Sequence, residues 1–559
     1  MTRYPLNTLL LGCAVLLAGC GSSNEPNPPP TTDCSQVSPT SLSPGTHTIV
    51  DVAQTACIRL PAAASGGAEY IFAALTTEGE ESTAGISADY RLQGSTPASA
   101  GVASASRAKV GRRQGPTVAS AFHARLRARE RALSEQKGAA QFDRHAAPAV
   151  AAAPPLVGDK RTFEVCETTD CNTFVQSTAT AMLVGQRVAI YLDDAAPSGG
   201  YDQADLDKVG ELFDSHLYPI DTTAFGRESD LDNNGVVIVL LTQRVNALTP
   251  DCNSTGSVIL GYFFGLDLLP SQEHSNDGEV FYGLVPDPGN SGCDISKNFA
   301  TSFLPPVFIH EFQHMISFNQ HVVMRQGTAE VTWLNEGLSH FAEELGGRLV
   351  PDTECASFGT CELQFLSGDL DNAYSYLNDT ESNFLIEPGN STGTLAERGA
   401  NWLFVRWLAD HFSATQPTAP EFTKAIVQTN RTGVANVEAV TNDDFSTLVS
   451  QWQLANYLDD LPGFTPGSDR LTYTSIPFRA VYQAGFDEGV FDKPYPLTPD
   501  VMGSGGYDHS GTLLAGSGRH LDIVQDPSAG EVTVLLTAAN GTSALPASVK
   551  PRAVLARIR

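Results

Sequence analysis

The sequence predicts an α+β protein whose largest domain spans residues 156–465. In that span β-branched runs such as "RVAIYLDD" and "GVVIVLL" come first and are bounded by turn residues, as is typical of buried strands. Apolar residues at helical spacing follow and predict helices at 306–318, 333–346, 396–412 and 444–461. Strands that mostly precede the helices, rather than alternating with them, favour α+β over α/β.

Length and charge limit the possible organisation and partners. A chain of 559 residues is too long for one hydrophobic core, so several domains are expected. The formal charge of -29 argues against nucleic acid as a partner, because proteins that bind it present basic faces. The acidic balance suits a soluble protein outside the cytoplasm.

The N-terminus predicts export. Residues 1–20 combine a basic start, a short apolar run and small residues, which is typical of a signal peptide. The stretch "LLAGC" resembles a bacterial lipobox, which implies a lipoprotein signal with lipidation of Cys20; an ordinary signal peptide is the alternative. The segment 21–33 is predicted to be a disordered tether. Gly21 after the cysteine favours the outer membrane if the cell envelope has two membranes.

Cysteine usage agrees with an exported protein. Apart from Cys13 and Cys20 the chain has eight cysteines, an even number that indicates disulfides. Local pairing in sequence order is the simplest of many connectivities: Cys34–Cys57, Cys166–Cys171, Cys252–Cys293 and Cys355–Cys361.

Three further regions flank the large domain. Residues 34–93 contain short β-like runs such as "YIFAAL" and predict a small β-rich domain. The Ala- and Arg-rich segment 94–155 could be a flexible linker, a cleavable pro-segment or a basic counter-surface. Alternating runs between Gly, Pro and Ser in 466–559, including "FRAVYQAG" and "EVTVLLTA", predict a β-sandwich-like C-terminal domain.

The stretch "HEFQH" carries the strongest chemical signal. His310 and His314 are four residues apart, so on a helix they share one face about one turn apart. Two imidazoles in this arrangement can bind one zinc ion, while Glu311 can act as a general base toward water. A catalytic zinc site needs a third protein ligand. A second helix that returns across the first could supply it from Glu336 in "WLNEG".

"HEFQH" followed by "WLNEG" resembles the gluzincin metallopeptidases. The wider pattern "HEFQHMISF", "TWLNEGLSHFAEEL", "NWLFVRWLAD" and "QWQLANYLDD" resembles the hyicolysin family among them, over roughly residues 160–462. The resemblance implies a catalytic domain with a mixed-sheet lobe and a helical lobe. It also implies that His310, His314 and Glu336 bind one zinc ion and that Glu311 is the general base in peptide-bond hydrolysis.

Other residues near these motifs have less certain roles. His340 lies one turn beyond Glu336 and, like Glu343, could orient a metal ligand; Glu343 and Glu344 could equally be surface carboxylates. Tyr374 and Tyr376 are candidates for oxyanion stabilisation by location only, and no residue is assigned that role. The run "EVFYGLVP" could be an edge strand that binds an extended peptide, or a structural strand.

The stretch "DLDNNG" is a weaker metal signal. Asp230, Asp232 and Asn234 alternate before Gly235, as at the start of a calcium-binding loop. The twelfth position is Leu241, where such a loop has a bidentate glutamate. An Asx-rich turn before a strand explains the pattern as well, so Ca²⁺ is a possible cofactor only.

Together these features predict a lipid-anchored, zinc-dependent endopeptidase of the bacterial cell envelope. Its partners would be a protein or peptide substrate and the membrane, through its N-terminal lipid. An aminopeptidase is the alternative among enzymes, but residues like "GAMEN" that would bind a free amino terminus are absent from the sequence. The alternative outside enzymes is a surface binding lipoprotein with a non-catalytic zinc site.

Overall fold

The computed structural model of the protein describes residues 33–95, 117–137, 153–270, 272–389, 393–503 and 506–559. The predicted signal peptide 1–20, with Cys20, and nearly all of the tether 21–33 lie outside the described residues. Within those described, no helix is both long enough and apolar enough to cross a bilayer.

The strands of the described residues form three sheets. They are β1 (His47–Asp51), β2 (Cys57–Leu60), β3 (Ala68–Thr76), β4 (Ser87–Ser95), β5 (Lys160–Cys166), β6 (Phe174–Val184), β7 (Val188–Asp193), β8 (Val237–Leu241), β9 (Gly261–Phe263), β10 (Val280–Gly283), β11 (Asp500–Met502), β12 (Tyr507–Leu514), β13 (Gly518–Gln525), β14 (Val532–Ala538) and β15 (Pro551–Arg557).

Most helices follow the strands of the central region. They are α1 (Val118–Lys137), α2 (Gln203–Leu212), α3 (Tyr218–Ala224), α4 (Gln243–Asn246), α5 (Cys252–Thr255), α6 (Lys297–Phe318), α7 (Thr332–Leu349), α8 (Cys361–Asn378), α9 (Leu395–Phe412), α10 (Pro420–Val427), α11 (Gly433–Thr441), α12 (Phe445–Leu458) and α13 (Phe478–Asp487). The described chain is therefore mixed α+β, as the sequence predicts.

The two β-rich ends of the chain form one sandwich. One sheet has the order β1-β15-β3-β13-β11 and the other β12-β4-β14-β2, so N-terminal and C-terminal strands interleave in both. The structure thus differs from the prediction of separate β domains at 34–93 and 466–559. Apart from β11 with β13, every strand pair of the sandwich joins an N-terminal strand to a C-terminal one. Pairing between segments so far apart in the chain leaves no local pattern in the sequence.

Strand β3 also joins the sandwich to the helices. Successive side chains of a strand point to opposite faces. Tyr70 and Phe72 face the core between the two sheets, whereas Ile71 and Leu75 pack with Leu454 and other apolar residues of the α12 region. The strand is therefore buried on both faces.

One segment predicted as a strand is helical. The run "FRAVYQAG" lies in α13, and its buried residues Phe478 and Tyr482 are four apart, at helical spacing. Tyr482 packs edge-on against Tyr374 of α8, with ring centroids 5.5 Å apart. The strand prediction was wrong because apolar residues at i and i+4 outweigh a short alternation.

The central sheet has the order β5-β6-β7-β8-β10-β9. Strands β7, β8 and β10 run parallel, and β9 pairs antiparallel with β10 at the edge. Of the two interpretations of "EVFYGLVP", the structure supports the structural strand, because β10 is paired on both sides and β9 is the edge. Helix α6 contacts β9 and β10 and carries the "HEFQH" residues.

Helix α6 begins nine residues earlier than predicted. The Ser296 hydroxyl caps it by accepting a hydrogen bond from Phe299 N at 3.1 Å, and Pro305 and Pro306 lie inside the helix.

Four disulfides link the pairs expected from sequence order: Cys34–Cys57, Cys166–Cys171, Cys252–Cys293 and Cys355–Cys361.

Candidate metal centre

Helices α6 and α7 bring three predicted metal ligands together. His310 Nε2 lies 3.7 Å from Glu336 Oε2, and His314 Nε2 lies 3.7 Å from Glu336 Oε1. One donor atom from each residue lies within 4.8 Å of the other two, and all three side chains are buried. The donors thus converge on one point between the two helices.

The donor set fits a zinc ion. Ligand atoms about 2.1 Å from a tetrahedral ion are about 3.4 Å apart, close to the two distances of 3.7 Å observed. Burial disfavours the charged form of Glu336, but opposing charges, led by Arg398, hold its pKa well below its usual range. Burial lowers the pKa of His310 and of His314. An ionised carboxylate beside neutral imidazoles is the state that metal binding requires.

The far nitrogen of each imidazole has its own partner. His310 Nδ1 donates to Glu343 Oε1 at 2.7 Å, and His314 Nδ1 donates to Asn335 Oδ1 at 3.1 Å. These contacts turn both Nε2 atoms toward Glu336. Glu343 therefore has the geometry of a carboxylate that orients a metal-binding histidine.

His340 belongs to a charged cluster behind this orienting carboxylate. Its Nδ1 lies 3.0 Å from Glu343 Oε1 and 2.7 Å from Asp369 Oδ1. Burial disfavours the imidazolium, but the two carboxylates outweigh burial and raise the pKa of His340. His310, His340 and Glu343 also form a second triad of donors within 4.8 Å of one another.

Glu311 lies beside the donor set and contacts the edge of the central sheet. Its Oε2 accepts a hydrogen bond from Phe263 N of β9 at 2.8 Å. Burial raises the pKa of Glu311 to about 8, so this carboxyl can hold a proton near neutrality. A carboxyl in this environment can serve as a general base or acid.

Arg398 of α9 is a site residue that the sequence did not indicate. Its Nη1 lies 2.9 Å from Glu336 Oε2, and its side chain is buried. Helices α7 and α9 approach closely beside it: a Cβ on Gly337 would lie 2.8 Å from Asn401 O. Glycine in "WLNEG" therefore allows the approach that brings the guanidinium to Glu336.

Helix α1, from the Ala- and Arg-rich segment, covers the site. His123 Nδ1 lies 3.4 Å from Glu311 Oε1, and burial holds the pKa of His123 well below its usual range. Arg127 Nη2 donates to Phe263 O at 2.7 Å, and Gly265 N donates to Glu130 Oε1 at 2.7 Å. Side chains of α1 thus form hydrogen bonds with the main chain of the edge strand β9, at Phe263, and of Gly265 just after it.

Glu344 is neither a surface carboxylate nor part of the metal centre. It is fully buried, and its Oε1 accepts from Arg406 Nη1 at 2.9 Å and from Arg348 Nη1 at 2.8 Å. Its Oε2 accepts from Trp402 Nε1 at 3.1 Å. Because the partners come mainly from α9, the sequence of α7 alone gave no sign of this network.

The two tyrosines considered for oxyanion stabilisation have other partners. Tyr376 is buried against Trp452, with ring centroids 5.8 Å apart, and its hydroxyl accepts from Gln453 Nε2 at 2.9 Å. Tyr374 stacks on Phe491 with centroids 4.4 Å apart. Both contribute to packing rather than to the metal centre.

Two buried histidines and a glutamate on adjacent helices define a site of the kind found in zinc hydrolases. The chain is 28% identical over 226 residues to the neutral metalloprotease ShpI of Staphylococcus hyicus; the match covers 39% of this chain and 44% of the relative. The matched region therefore spans less than half of that relative's length.

A solved structure of an M1 zinc metallopeptidase mutant from Deinococcus radiodurans, bound to a Tyr-Ser-Ala substrate, is also similar. The similarity covers 53% of this chain and 52% of that one, at 13% identity and a TM-score of 0.28. No protein-family model matches the chain.

Proposed function

We propose that the protein is a zinc-dependent endopeptidase of the hyicolysin-like type within the gluzincins. The observation that carries the proposal is the position of Glu336 between His310 and His314, with Glu311 adjacent to His310. Similarity to a neutral metalloprotease supports it. Protein or peptide chains are the substrates that follow from the proposal.

In this proposal His310, His314 and Glu336 hold the ion. Zinc, when bound, polarises a carbonyl group and lowers the pKa of water toward neutrality. Glu311 removes a proton from the attacking water and passes it to the leaving amine, since it lies buried beside the donor set. The Arg398 guanidinium, 2.9 Å from Glu336 Oε2, keeps that carboxylate ionised and in place for the ion.

The edge strand β9 supplies the surface for an extended substrate. A peptide can add to an exposed strand through main-chain hydrogen bonds. In the full chain α1 occupies this position through Arg127 and Glu130. We therefore propose that the segment 94–155 is a pro-segment rather than a linker, and that α1 blocks access to the site until the segment is removed.

The location of the protein is also a proposal. The lipobox-like stretch at Cys20 and the four disulfides support a lipid-anchored protein of the bacterial cell envelope. Export to an oxidising compartment would favour the disulfides, and the N-terminal lipid would be the contact with the membrane. Labelling with a radioactive fatty acid, in wild type and Cys20→Ala, tests the anchor.

The function is tested by protein hydrolysis. We expect the wild-type protein, after excision of residues 96–152, which leaves β1–β4 paired in the sandwich, to cleave casein, to lose activity with a zinc chelator and to regain it with zinc. Glu311→Gln should retain zinc but lose activity. Stoichiometric zinc in a wild-type protein that cleaves no protein substrate would instead favour a binding lipoprotein with a non-catalytic zinc site.

Internal cleavage distinguishes an endopeptidase from an aminopeptidase. The products of a peptide with an acetylated amino terminus should appear at the same rate as those of the free peptide. A requirement for the free amino group would favour the aminopeptidase.

A further inference from the structure

A second carboxylate cluster lies away from the zinc ligands, at one end of strand β8. Asp230, Asp232 and Glu279 each place a carboxylate oxygen within 4.8 Å of the others. Asp230 and Asp232 belong to the turn "DLDNNG" that precedes β8. Glu279 immediately precedes β10, which pairs parallel with β8. Parallel pairing thus brings an acid distant in sequence to the turn.

Glu279 supplies the acid that the loop itself lacks. The twelfth position of the loop is Leu241, which lies in β8 and has no ligand oxygen in its side chain. Ile238 N donates to Glu279 O at 2.7 Å, which fixes the glutamate beside the start of β8. A glutamate from the neighbouring strand therefore replaces the one expected at the end of a calcium-binding loop.

An unpartnered oxygen of Glu279 provides independent evidence for a ligand. The residue is 1% exposed, and its Oε2 has no hydrogen-bond partner among the described residues. Its Oε1 already accepts from Leu231 N at 3.0 Å. Leaving a buried carboxylate oxygen unpaired is costly unless a cation or proton satisfies it.

The turn is shaped to present its carboxylates. Asn233 and Gly235 have φ of 53° and 77°, the left-handed region that a tight turn requires. Asn234 does not act as a ligand here: its Nδ2 donates to Asp232 Oδ2 at 2.7 Å, and its Oδ1 accepts from Val236 N at 2.8 Å. It closes the turn and holds Asp232 in place.

The cluster is accessible from a surface depression whose lining also includes two cations, Lys160 and Arg161. A surface depression of about 340 Å³ is lined by Asp232 and Asn234, so ions and water can reach it. Asp230 is exposed. The nearest cation, Arg161, has its Nη1 4.0 Å from Asp232 Oδ2, beyond a direct hydrogen bond.

We propose that Asp230, Asp232 and Glu279 bind one Ca²⁺ ion that fixes the turn before β8 to strand β10. An all-oxygen, carboxylate-rich set at a solvent-accessible turn suits Ca²⁺, which takes six to eight oxygens, including water, in flexible geometry. Mg²⁺ demands a stricter octahedron. Three protein carboxylates place the expected affinity in the weak range, with Kd roughly 10⁻⁴ to 10⁻³ M.

Calcium titration of the zinc-loaded full chain tests the proposal. Isothermal titration should show one Ca²⁺ site, and calcium should raise the thermal unfolding midpoint more than equal Mg²⁺ does. Glu279→Gln, which keeps the shape of the side chain, should weaken binding by on the order of tenfold or more. Asp232→Asn should do the same, whereas Glu273→Gln, an identical change at a side chain that is 90% exposed, should not.

Two results would overturn the inference. One is the absence of calcium binding by the folded wild type at about 10 mM, well above the expected Kd. The other is binding that Glu279→Gln and Asp232→Asn leave unchanged, which would place the ion elsewhere. Neither result depends on peptidase activity, so the test is independent of the proposed function.

Discussion

Replacing Glu344 by alanine should destabilise the helical region without removing a zinc ligand. The substitution leaves the Arg406 guanidinium, which is 0% exposed, without one of its two carboxylate partners. Removing one member of a buried ion pair costs about 3–5 kcal/mol. Asp410 remains 3.0 Å from Arg406 Nη2 and offsets part of that cost, but Trp402 Nε1 also loses its acceptor. We expect a loss of about 4 kcal/mol.

Tryptophan fluorescence during urea unfolding measures this loss. All four tryptophans, Trp333, Trp402, Trp407 and Trp452, are buried in α7, α9 and α12, so the signal reports on the helical region. With an m-value of about 3 kcal/mol/M or more, the midpoint should fall by roughly 1 M. The folded variant should still bind one zinc ion per chain.

A matched surface change and a double substitution complete the experiment. Glu362→Ala removes an exposed carboxylate from α8 and should change stability by less than about 0.5 kcal/mol. Glu344→Leu combined with Arg406→Met should recover only part of the stability, because it removes the Glu344–Arg406 pair but leaves the buried Asp410 carboxylate without its arginine. A midpoint for Glu344→Ala within about 0.2 M of wild type would refute the reasoning.

Three further predictions concern the metal centre. Glu343→Gln should weaken zinc binding by about 10–100-fold, because the carboxylate that accepts the hydrogen bond from His310 Nδ1 and orients its ring is lost. Competition with a chelator measures the affinity, and the control Glu362→Gln should have no effect. Excising residues 96–152, which keeps β1–β4 in the sandwich, should raise casein cleavage, and His123→Ala should raise it in the full chain. Reduced activity in both would instead assign α1 to the working enzyme. Arg398→Gln should weaken zinc binding by about 10–100-fold, because it removes the charge that keeps Glu336 ionised; an unchanged zinc affinity would contradict that role.

Local patterns carried most of what the sequence could predict. The spacing of His310 and His314 needs only helix geometry, and each cysteine of a disulfide pairs with the next cysteine along the chain. Glu336 was selected by its motif and by the return of a second helix. These features depend on residues close together in the chain, where period and spacing are informative.

Features that depend on distant partners were missed. Glu344 looked like one more acid of α7 because Arg406 comes from α9. Glu279 joins Asp230 only through the pairing of β10 with β8. The shared sandwich and the placement of His123 likewise depend on which segments meet in space. Periodicity within a segment carries no information about its partner.

Anomalous diffraction at the zinc absorption edge, from crystals of the zinc-loaded protein, tests the central claim most directly. The account predicts a zinc peak bound by His310 Nε2, His314 Nε2 and the Glu336 carboxylate, with His310 Nδ1 still donating to Glu343. A peak bound instead by His310, His340 and Glu343, or no peak beside α6, would contradict it.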